Sequence, residues 1–307
     1  LDYIQTRPPR QDLKEFIQSD YHIYRSVGRD SKGEVLYTGY YEPLLNGSLV
    51  RSEQYRYPIY TRPRDLITID LSLFHEKFKG EKIIARYTDQ TVVPYYDRSE
   101  IEADGVLEDK AEVLAWAEDP VDVFFLQIQG SGKVRLENGD VFNVHYQTTN
   151  GRPYRSIGKL LIDEEKISAT DMSMQKIREY LHHHPNEIDT VLNYNPSYVF
   201  FKIEPNGPLG NINVKLTAGR SIALDRRIFP PAALAFIETE KPLIDDAGKI
   251  HSWQRFSRFA LNQDTGGAIR GPGRADLFWG NGSYAEIAAG HLKHTGKLYF
   301  LVLKSTS

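Results

Sequence analysis

Two aspartates near the C-terminal end of the sequence stand in settings that could support acid–base chemistry. Asp264 follows an apolar stretch and precedes Thr265-Gly266-Gly267, a sharp turn that leaves backbone N–H groups free. Asp276 leads directly into Leu277-Phe278-Trp279, and burial against such side chains raises a carboxyl pKa because it disfavours the charged form. A carboxylic acid that stays protonated near neutral pH can protonate the oxygen of a glycosidic bond. The segment is equally compatible with two turn-forming aspartates that bind backbone donors.

The sequence gives weaker support to a third carboxylate site, a metal site or a nucleophilic serine or cysteine. Asp225 is followed by Arg226 and Arg227, which predicts an ion pair of little energetic value if it is exposed. The consecutive histidines 182–184 would point about 100° apart on a helix, so they do not favour a shared metal ion. Gly130-Ser131-Gly132 lacks the spacing of a serine-nucleophile turn. With 0 cysteines, thiol catalysis and Cys-ligated zinc are excluded. We expect no metal and no cofactor.

Length and composition limit the classes of protein. The chain has 307 residues, 40% hydrophobic and 26% charged, which is typical of a folded globular protein of one or two domains. A formal net charge of −3 offers no general attraction to nucleic acid, so we expect no nucleic-acid partner. No apolar run approaches the length of a membrane-spanning helix.

The elements that must position these residues are mostly short strands. Helices are predicted around Leu13–Ile17, at 113–117 and over Met174–His183. The predicted strands are 34–41, 57–60, 121–128, 133–136, 199–201, 233–238, 255–262 and 297–303. Turn-forming residues 206–210 predict a linker. Many short strands with frequent glycine favour a barrel over parallel α/β layers.

Several motifs, taken in order, resemble the membrane-bound lytic murein transglycosylase A family. They are Tyr37-Thr38-Gly39-Tyr40-Tyr41-Glu42-Pro43, the stretch 125–132, Tyr154-Arg155-Ser156-Ile157-Gly158-Lys159, the stretches 171–175 and 195–202, and the block 264–280 with its aspartates. The resemblance implies a mainly β fold: a discontinuous double-psi β-barrel, with an inserted second domain that is mostly β and a substrate groove between them. It predicts a barrel of 1–98 plus 208–307 and an insert of 99–207.

The resemblance also implies an activity. Members of this family cleave the β-1,4 bond between N-acetylmuramic acid and N-acetylglucosamine in peptidoglycan without water, and they leave a 1,6-anhydro end. The family's catalytic aspartate corresponds to Asp276 and its supporting aspartate to Asp264. One carboxyl can act first as acid and then as base, because the attacking C6 hydroxyl belongs to the substrate itself.

Further residues are predicted to bind the glycan. Tyr96, Gln127, Gln129 and Ser131 lie in segments that resemble the family and offer stacking and hydrogen-bonding groups to an uncharged sugar chain, with strand packing and turn formation as the alternative for each. Asp225, the third aspartate, is included in this set.

The substrate implies a location and partners. Peptidoglycan strands are the expected partner, and the family resemblance implies a periplasmic lipoprotein attached to the outer membrane through a cysteine that would precede Leu1. Association with other cell-wall enzymes would be consistent with this location. Two alternative functions stay open on the same barrel: an inverting glycoside hydrolase that activates water through Asp264 or Asp225, and a wall-binding protein without catalytic activity.

Overall fold

The computed structural model describes residues 6–103 and 105–305. Its helices, in chain order, are α1 (Arg10–Asp20), α2 (Arg98–Ala103), α3 (Pro120–Gln129), α4 (Ile157–Asp163), α5 (Met174–His183), α6 (Ile188–Asn193) and α7 (Ser283–His291). The strands are β1 (Tyr21–Arg25), β2 (Val35–Glu42), β3 (Leu44–Ser48), β4 (Tyr57–Tyr60), β5 (Ile67–Asp70), β6 (Lys82–Thr88), β7 (Thr91–Pro94), β8 (Val113–Ala117), β9 (Ser131–Leu136), β10 (Val141–Thr149), β11 (Val199–Ile203), β12 (Ser221–Ala223), β13 (Leu234–Ile244), β14 (Ile250–Asp264), β15 (Arg274–Asn281) and β16 (His294–Leu303).

The chain divides into two compact units built from separate stretches. The first comprises Leu1–Tyr40, Gly210–Gly280 and His291–Ser307, and the second comprises Tyr41–Leu209 and Asn281–Gly290. The boundary expected at 207/208 lies within two residues of the observed one at 209/210. The boundary expected at 98/99 has no counterpart, because 41–98 contributes its strands β3 to β7 to the second unit.

A closed barrel forms the first unit. Its strands follow the order β16-β13-β14-β12-β15-β2, and a further pairing of β2 with β16 closes the ring, while β1 adds to the edge of β16. Strand β12 runs parallel to β14 and antiparallel to β15. The predicted fold class is confirmed as a mainly β chain with a closed six-stranded barrel and further sheets.

Alternation along the barrel strands separates a core face from a polar face. On β15, Ala275 and Leu277 are completely buried in the barrel core with Val35 and Ile222. Burying one large aliphatic side chain of this kind contributes about 1.5–3 kcal/mol. Because neighbouring residues of a strand point to opposite faces, the even-numbered positions of β15, including Asp276, face away from this core. Arg274, Asp276 and Phe278 therefore lie on the side of β15 opposite to the barrel core.

The second unit contains a mixed six-stranded sheet, a three-stranded sheet and most of the helices. The larger sheet has the order β11-β10-β9-β3-β8-β4, and the smaller one has the order β5-β6-β7. Helix α3 covers the larger sheet through Val123 and Leu126, which pack with Leu45 and Ile59. A second face of α3 packs against α4, α5 and α6.

Two predicted elements have the wrong type. The stretch 121–128 is helical, because Asp119 caps its first turn, Pro120 occupies the first position and Gly130 ends it with φ of 78°. The stretch 121–128 is apolar throughout because two faces of this helix are buried, and not because it is a central strand of a sheet. The stretch 113–117 is strand β8, which pairs antiparallel with β3 and β4 and places Ala115 and Ala117 in the core of the sheet.

The other predicted helices and strands are confirmed in type, including the helices around Leu13–Ile17 and over Met174–His183. Strand β13 continues to Ile244 and β14 begins at Ile250, so both are longer than predicted. The turn at Asn138-Gly139 joins β9 and β10 in an antiparallel hairpin. Across residues 6–103 and 105–305, no helix combines the length and the apolar character needed to cross a bilayer.

Candidate functional site

Asp264 and Asp276 lie on either side of one residue of β12. Ala223 is paired with Asp264 across the parallel β12–β14 ladder and with Asp276 across the antiparallel β12–β15 ladder. Since adjacent strands lie about 4.8 Å apart, the two aspartate backbones are separated by roughly 10 Å across the sheet. The barrel topology thus brings together two carboxyls that the sequence separates by a glycine-rich loop.

Asp276 is a partly exposed carboxyl with one close hydroxyl donor. The Thr38 hydroxyl donates to Asp276 Oδ1 at 2.8 Å. Burial raises the pKa of Asp276 to about 6, while the Thr38 bond and the Arg274 charge lower it, and the charge of Asp264 raises it further. The direction of this shift agrees with the sequence prediction. A carboxyl with this pKa is divided between acid and carboxylate near pH 6, as a group that both donates and accepts protons requires.

Asp264 is held by more donors than Asp276. The Tyr40 hydroxyl donates to Oδ2 at 2.9 Å, and the backbone N–H groups of Asn211 and Thr265 donate to Oδ1 at 3.1 and 2.9 Å. Burial raises the pKa of Asp264 to about 6, and these three donors oppose the shift because they stabilise the carboxylate. The two oxygens of Asp264 are therefore fixed as acceptors, which suits a stationary negative charge.

Tyr40 acts only as a donor in this pair. Burial, followed by the neighbouring charge of Asp264, raises its pKa well above the ordinary value, so the phenol stays protonated. Its ring is buried against Phe278, with ring centroids 5.2 Å apart. Tyr40, Phe278, Leu216 and Ala223 form a small apolar cluster beside the two carboxyls. This cluster supplies the low-dielectric surroundings that raise both aspartate pKa values.

The sequence reasoning did not single out Thr38, Tyr40 or Arg274. Thr38 and Tyr40 lie in the quoted motif 37–43, and their spacing of two on a predicted strand places both on one face. This two-residue spacing of hydroxyl side chains on one strand was the feature of the sequence that could have identified Thr38 and Tyr40 as site residues. Arg274 also stands two positions before Asp276, and its Nη2 lies 3.4 Å from the Thr38 hydroxyl.

Asp225 occupies a different position from the other two aspartates. Its side chain is completely buried, and Arg227 donates to it through Nε and Nη2 at 3.0 and 2.7 Å. Gly271 N–H, from the loop that connects Asp264 to Asp276, donates to Asp225 Oδ2 at 2.8 Å. Hydrogen bonds from Arg227 hold the pKa of Asp225 well below its usual range despite burial. The predicted ion pair is present, and the burial gives this carboxylate no surface for a sugar.

The second unit contains the other predicted binding residues. Gln127 is buried, and its side-chain oxygen accepts from Arg98 Nη2 at 2.6 Å. Arg98, also buried, donates to the carbonyl oxygens of Asn195 and Ser197 and pairs with Glu102. Gln127 is thus tied into a network that joins α2, α3 and the segment before β11.

Gln129 and Ser131 lie where α3 turns into β9. Gln129 is partly exposed, and its side-chain oxygen accepts from the Tyr41 N–H at 3.0 Å. Ser131 is buried at the first position of β9. The short connection through Gly130 brings these two predicted binding residues close to Gln127.

Tyr96 lies elsewhere in the second unit, between two cations. Arg86 and Lys110 stand over its ring at 4.1 and 4.7 Å from the centroid. Lys110 Nζ also donates to the Tyr96 hydroxyl at 3.1 Å. The ring is partly exposed, so the predicted stacking of a sugar would have to share its faces with these cations.

Metal-ligating side chains do not converge within the described part of the chain: no group of three or more His, Asp or Glu residues could hold an ion there. His182 instead pairs with Asp119 at 2.8 Å, and His183 and His184 bond to backbone carbonyl oxygens of their own helix.

Comparison with known protein families gives two matches that together span most of the chain. The profile of the MltA specific insert domain matches residues 36–202, and that of the 3D domain matches residues 220–302. The insert-domain match begins in β2, next to the observed unit boundary at Tyr40 and well before the boundary expected at 98/99.

Individual proteins match over nearly the full length. The membrane-bound lytic murein transglycosylase A of Escherichia coli K12 is 34% identical over 293 residues, which are 94% of this chain and 72% of that protein. Its counterpart from Vibrio cholerae is 29% identical over 282 residues, 91% of this chain and 68% of that protein.

Solved structures share the fold. A membrane-bound lytic murein transglycosylase from Agrobacterium tumefaciens superposes with a TM-score of 0.81 at 32% identity, covering 95% of this chain and 79% of that one. E. coli MltA with bound chitohexaose superposes with a TM-score of 0.77 at 31% identity, covering 97% and 79%.

Proposed function

This chain belongs to the membrane-bound lytic murein transglycosylase A family, and from this premise we propose how its residues carry out the reaction. It is a peptidoglycan lytic transglycosylase, an enzyme that cleaves glycan strands of the cell wall. The single observation that carries the assignment of roles is the environment of the Asp276 carboxyl. This carboxyl is partly exposed, has a pKa near 6 and accepts one hydroxyl hydrogen bond on Oδ1.

Asp276 acts as general acid in the first half of the reaction. Its proton passes to the oxygen of the β-1,4 bond between N-acetylmuramic acid and N-acetylglucosamine as the bond from that oxygen to C1 breaks. Positive charge develops at C1 and the ring oxygen while Asp276 becomes a carboxylate. Proton transfer from a positioned side chain accelerates such a step by about 10²–10⁴-fold.

The same carboxylate acts as base in the second half. It takes the proton of the muramyl C6 hydroxyl as the C6 oxygen bonds to C1, which closes the 1,6-anhydro ring and returns Asp276 to its acid form. The nucleophile is held by the substrate itself, so neither an activated water nor a covalent enzyme intermediate is required. One titrating carboxyl therefore completes the cycle.

In its ionised form, Asp264 supplies a negative charge whose position is set by its hydrogen-bond donors. Three donors hold its oxygens as acceptors. It lies on β14, separated from Asp276 on β15 only by strand β12. We assign to it the stabilisation of the positive charge that develops at C1. Its charge also raises the pKa of Asp276, which favours the acid form at the start of the cycle.

The glycan chain is the partner. Bound chitohexaose in the related E. coli structure supports binding of glycan strands by this chain. We propose that Gln129 and Tyr96 contact hydroxyl and acetamido groups of the strand and that the buried Gln127 and Ser131 position this segment from beneath. We also propose attachment to the periplasmic side of the outer membrane through a lipid and contact with other cell-wall enzymes, since the substrate lies there.

Product analysis separates this proposal from hydrolysis. Purified sacculi are digested with the enzyme, and the released fragments are examined by mass spectrometry. Anhydromuramic ends are expected. Reducing muramic ends, heavier by the mass of one water, would show that water is the nucleophile and would overturn the transglycosylase mechanism.

An Asp276→Asn variant separates catalysis from wall binding without cutting. We expect it to bind sacculi in a sedimentation assay but to release no anhydro products, with Asp246→Asn, an exposed aspartate in the turn between β13 and β14, as a fully active control. Full release by Asp276→Asn would refute the assigned role of Asp276.

A further inference from the structure

Arg274 stands beside the carboxyl to which the reaction is assigned. It lies two positions before Asp276 on β15, on the same face of the strand. Its Nη2 is 3.4 Å from the Thr38 hydroxyl oxygen, and that hydroxyl donates to Asp276 Oδ1 at 2.8 Å. The three side chains form a chain of hydrogen bonds that runs from a cation through a hydroxyl to a carboxyl.

Donor and acceptor chemistry fixes the direction of this chain. A guanidinium group carries only donors, so the Thr38 oxygen must be the acceptor of the bond from Arg274. Thr38 has a single hydroxyl proton, and among the described residues Asp276 is the one acceptor to which it is bonded. Asp276 Oδ1 is consequently an acceptor, and the proton of the acid form belongs on Oδ2.

We propose, building on the catalytic role assigned above to Asp276, that Arg274 is a positioning residue that orients the Thr38 hydroxyl and thereby selects Oδ2 of Asp276 as the oxygen that exchanges protons with the glycan. A carboxyl that presents its proton from one defined oxygen does not have to rotate or redistribute the proton before each transfer. The role concerns the rate of proton transfer and not the affinity for the strand.

The charge of Arg274 has a second, separable effect. Arg274 lowers the pKa of Asp276, whereas burial and the charge of Asp264 raise it. The titratable and charged groups that face Asp276 are Arg274 on its own strand, Asp264 on β14 and Tyr40 on β2. Removal of Arg274 takes away one of the two influences that lower the pKa of Asp276, so the acid form of Asp276 persists to higher pH.

The buried part of Arg274 gives additional support. Its Nε is inaccessible to solvent and has no hydrogen-bond partner among the described residues. An unpaired guanidinium N–H in such a place costs free energy, which is not expected of an arginine that serves only stability. The position of Arg274 is therefore explained better by a role in the reaction at Asp276 than by a role in stability.

A double-mutant cycle tests the proposal on the full chain, with soluble glycan strands as substrate and anhydro products as the signal. We expect Thr38→Val to lower kcat about 10–100-fold at the optimum pH, with KM changed less than about threefold. Thr38→Ser keeps the hydroxyl and should therefore keep most of the rate of the unmodified enzyme. Arg274→Gln should lower kcat about 10-fold, and the double variant should be no slower than Thr38→Val. In Arg274→Gln the loss of activity at alkaline pH should move to higher pH, and in Arg274→Lys it should stay near that of the unmodified enzyme.

Thr295→Val on β16 and Arg255→Gln on β14, which change exposed residues of the same types on the same unit, serve as matched controls and should be fully active. Multiplying effects in the double variant, an unmoved alkaline limb in Arg274→Gln, or a raised KM with unchanged kcat would each overturn the proposal. If Asp276→Asn is inactive while Thr38→Val is fully active, this inference fails alone. If Asp276→Asn is active, the proposed function fails first.

Discussion

Thr38 and Tyr40 lie two positions apart on β2, so one face of a single strand supplies a hydroxyl to each carboxyl of the site. The Thr38 hydroxyl donates to Asp276, and the Tyr40 hydroxyl donates to Asp264. The strand that closes the barrel therefore sets the hydrogen bonding of both groups at once. The difference between the two aspartates follows from what else reaches them: two further backbone donors for Asp264, and the Arg274 charge for Asp276.

The dependence of the rate on pH should reflect the raised pKa values of the two aspartates. Both values are about 6, and the reaction starts from protonated Asp276 beside ionised Asp264. As pH rises through about 6, Asp276 loses its proton and the rate falls; as pH drops, Asp264 becomes protonated and the rate falls again. We expect a bell-shaped profile of kcat/KM for anhydro-product release with its maximum near pH 6. A rate that is constant from acid to alkaline pH would contradict this assignment.

Asp276→Asn should increase stability while it abolishes activity. The pKa of Asp276 is about 6 in the folded chain against an ordinary value of 3.8, so the unfolded chain ionises first as pH rises. The native carboxyl therefore costs up to about 3 kcal/mol of stability above pH 6, and this cost disappears below the ordinary pKa. Denaturant unfolding should show a stabilised variant at pH 8 and nearly equal proteins at acid pH. Equal stabilities at pH 8 would argue against the raised pKa.

Tyr40→Phe isolates the hydroxyl that holds Asp264. The ring packing on Phe278 is retained, so only the bond to Asp264 Oδ2 is lost. Because that bond favours the carboxylate, its loss should raise the pKa of Asp264 further and move the acid limb of the rate profile to higher pH. Stability should fall by about 1 kcal/mol. An acid limb that stays in place would show that Asp264 does not control it.

Asp225→Asn tests whether the third aspartate anchors the loop between Asp264 and Asp276. The variant loses the charge that pairs with Arg227 and weakens the bond from Gly271. We expect a loss of about 1–3 kcal/mol, because the buried side chain loses charge-assisted hydrogen bonds while the Arg227 left behind is exposed to solvent, together with a lower kcat. Since the native pKa of Asp225 is depressed, its contribution is present above the ordinary value of 3.8 and is lost as pH falls below it. Urea unfolding at neutral and at acid pH provides the measurement.

Gln127→Leu tests whether this residue is structural. The substitution removes the acceptor of the Arg98 bond inside the second unit and leaves a buried guanidinium donor unpaired. A destabilisation of about 1–3 kcal/mol is expected. Gln129→Ala, at a partly exposed position, should instead raise KM for glycan strands with little loss of stability. If Gln127→Leu raised KM without loss of stability and Gln129→Ala lowered stability, the assigned roles of the two glutamines would be wrong.

Local patterns in the sequence were sufficient for the two central aspartates and for the type of all but two of the elements that were predicted from them. Alternation and turn residues placed β2, β13, β14 and the hairpin at Asn138-Gly139 correctly. They failed at 113–117 and 121–128, where a short apolar run without clear period is compatible with either type. There the capping by Asp119 and Gly130, and the two-sided pairing of β8, decided the outcome.

By itself, the sequence determined the family, the mainly β class and the chemistry available at Asp264 and Asp276, because motifs and local propensities are properties of adjacent residues. Tertiary structure decided which groups surround those carboxyls. Thr38 is 238 positions from Asp276 and Tyr40 is 224 positions from Asp264, and they meet only because β2 closes a ring of strands. It also decided that Asp225 is buried against Arg227 and Gly271 while Asp276 keeps an exposed part. Burial and electrostatic surroundings depend on contacts between distant segments, and these set the pKa values on which the reaction depends.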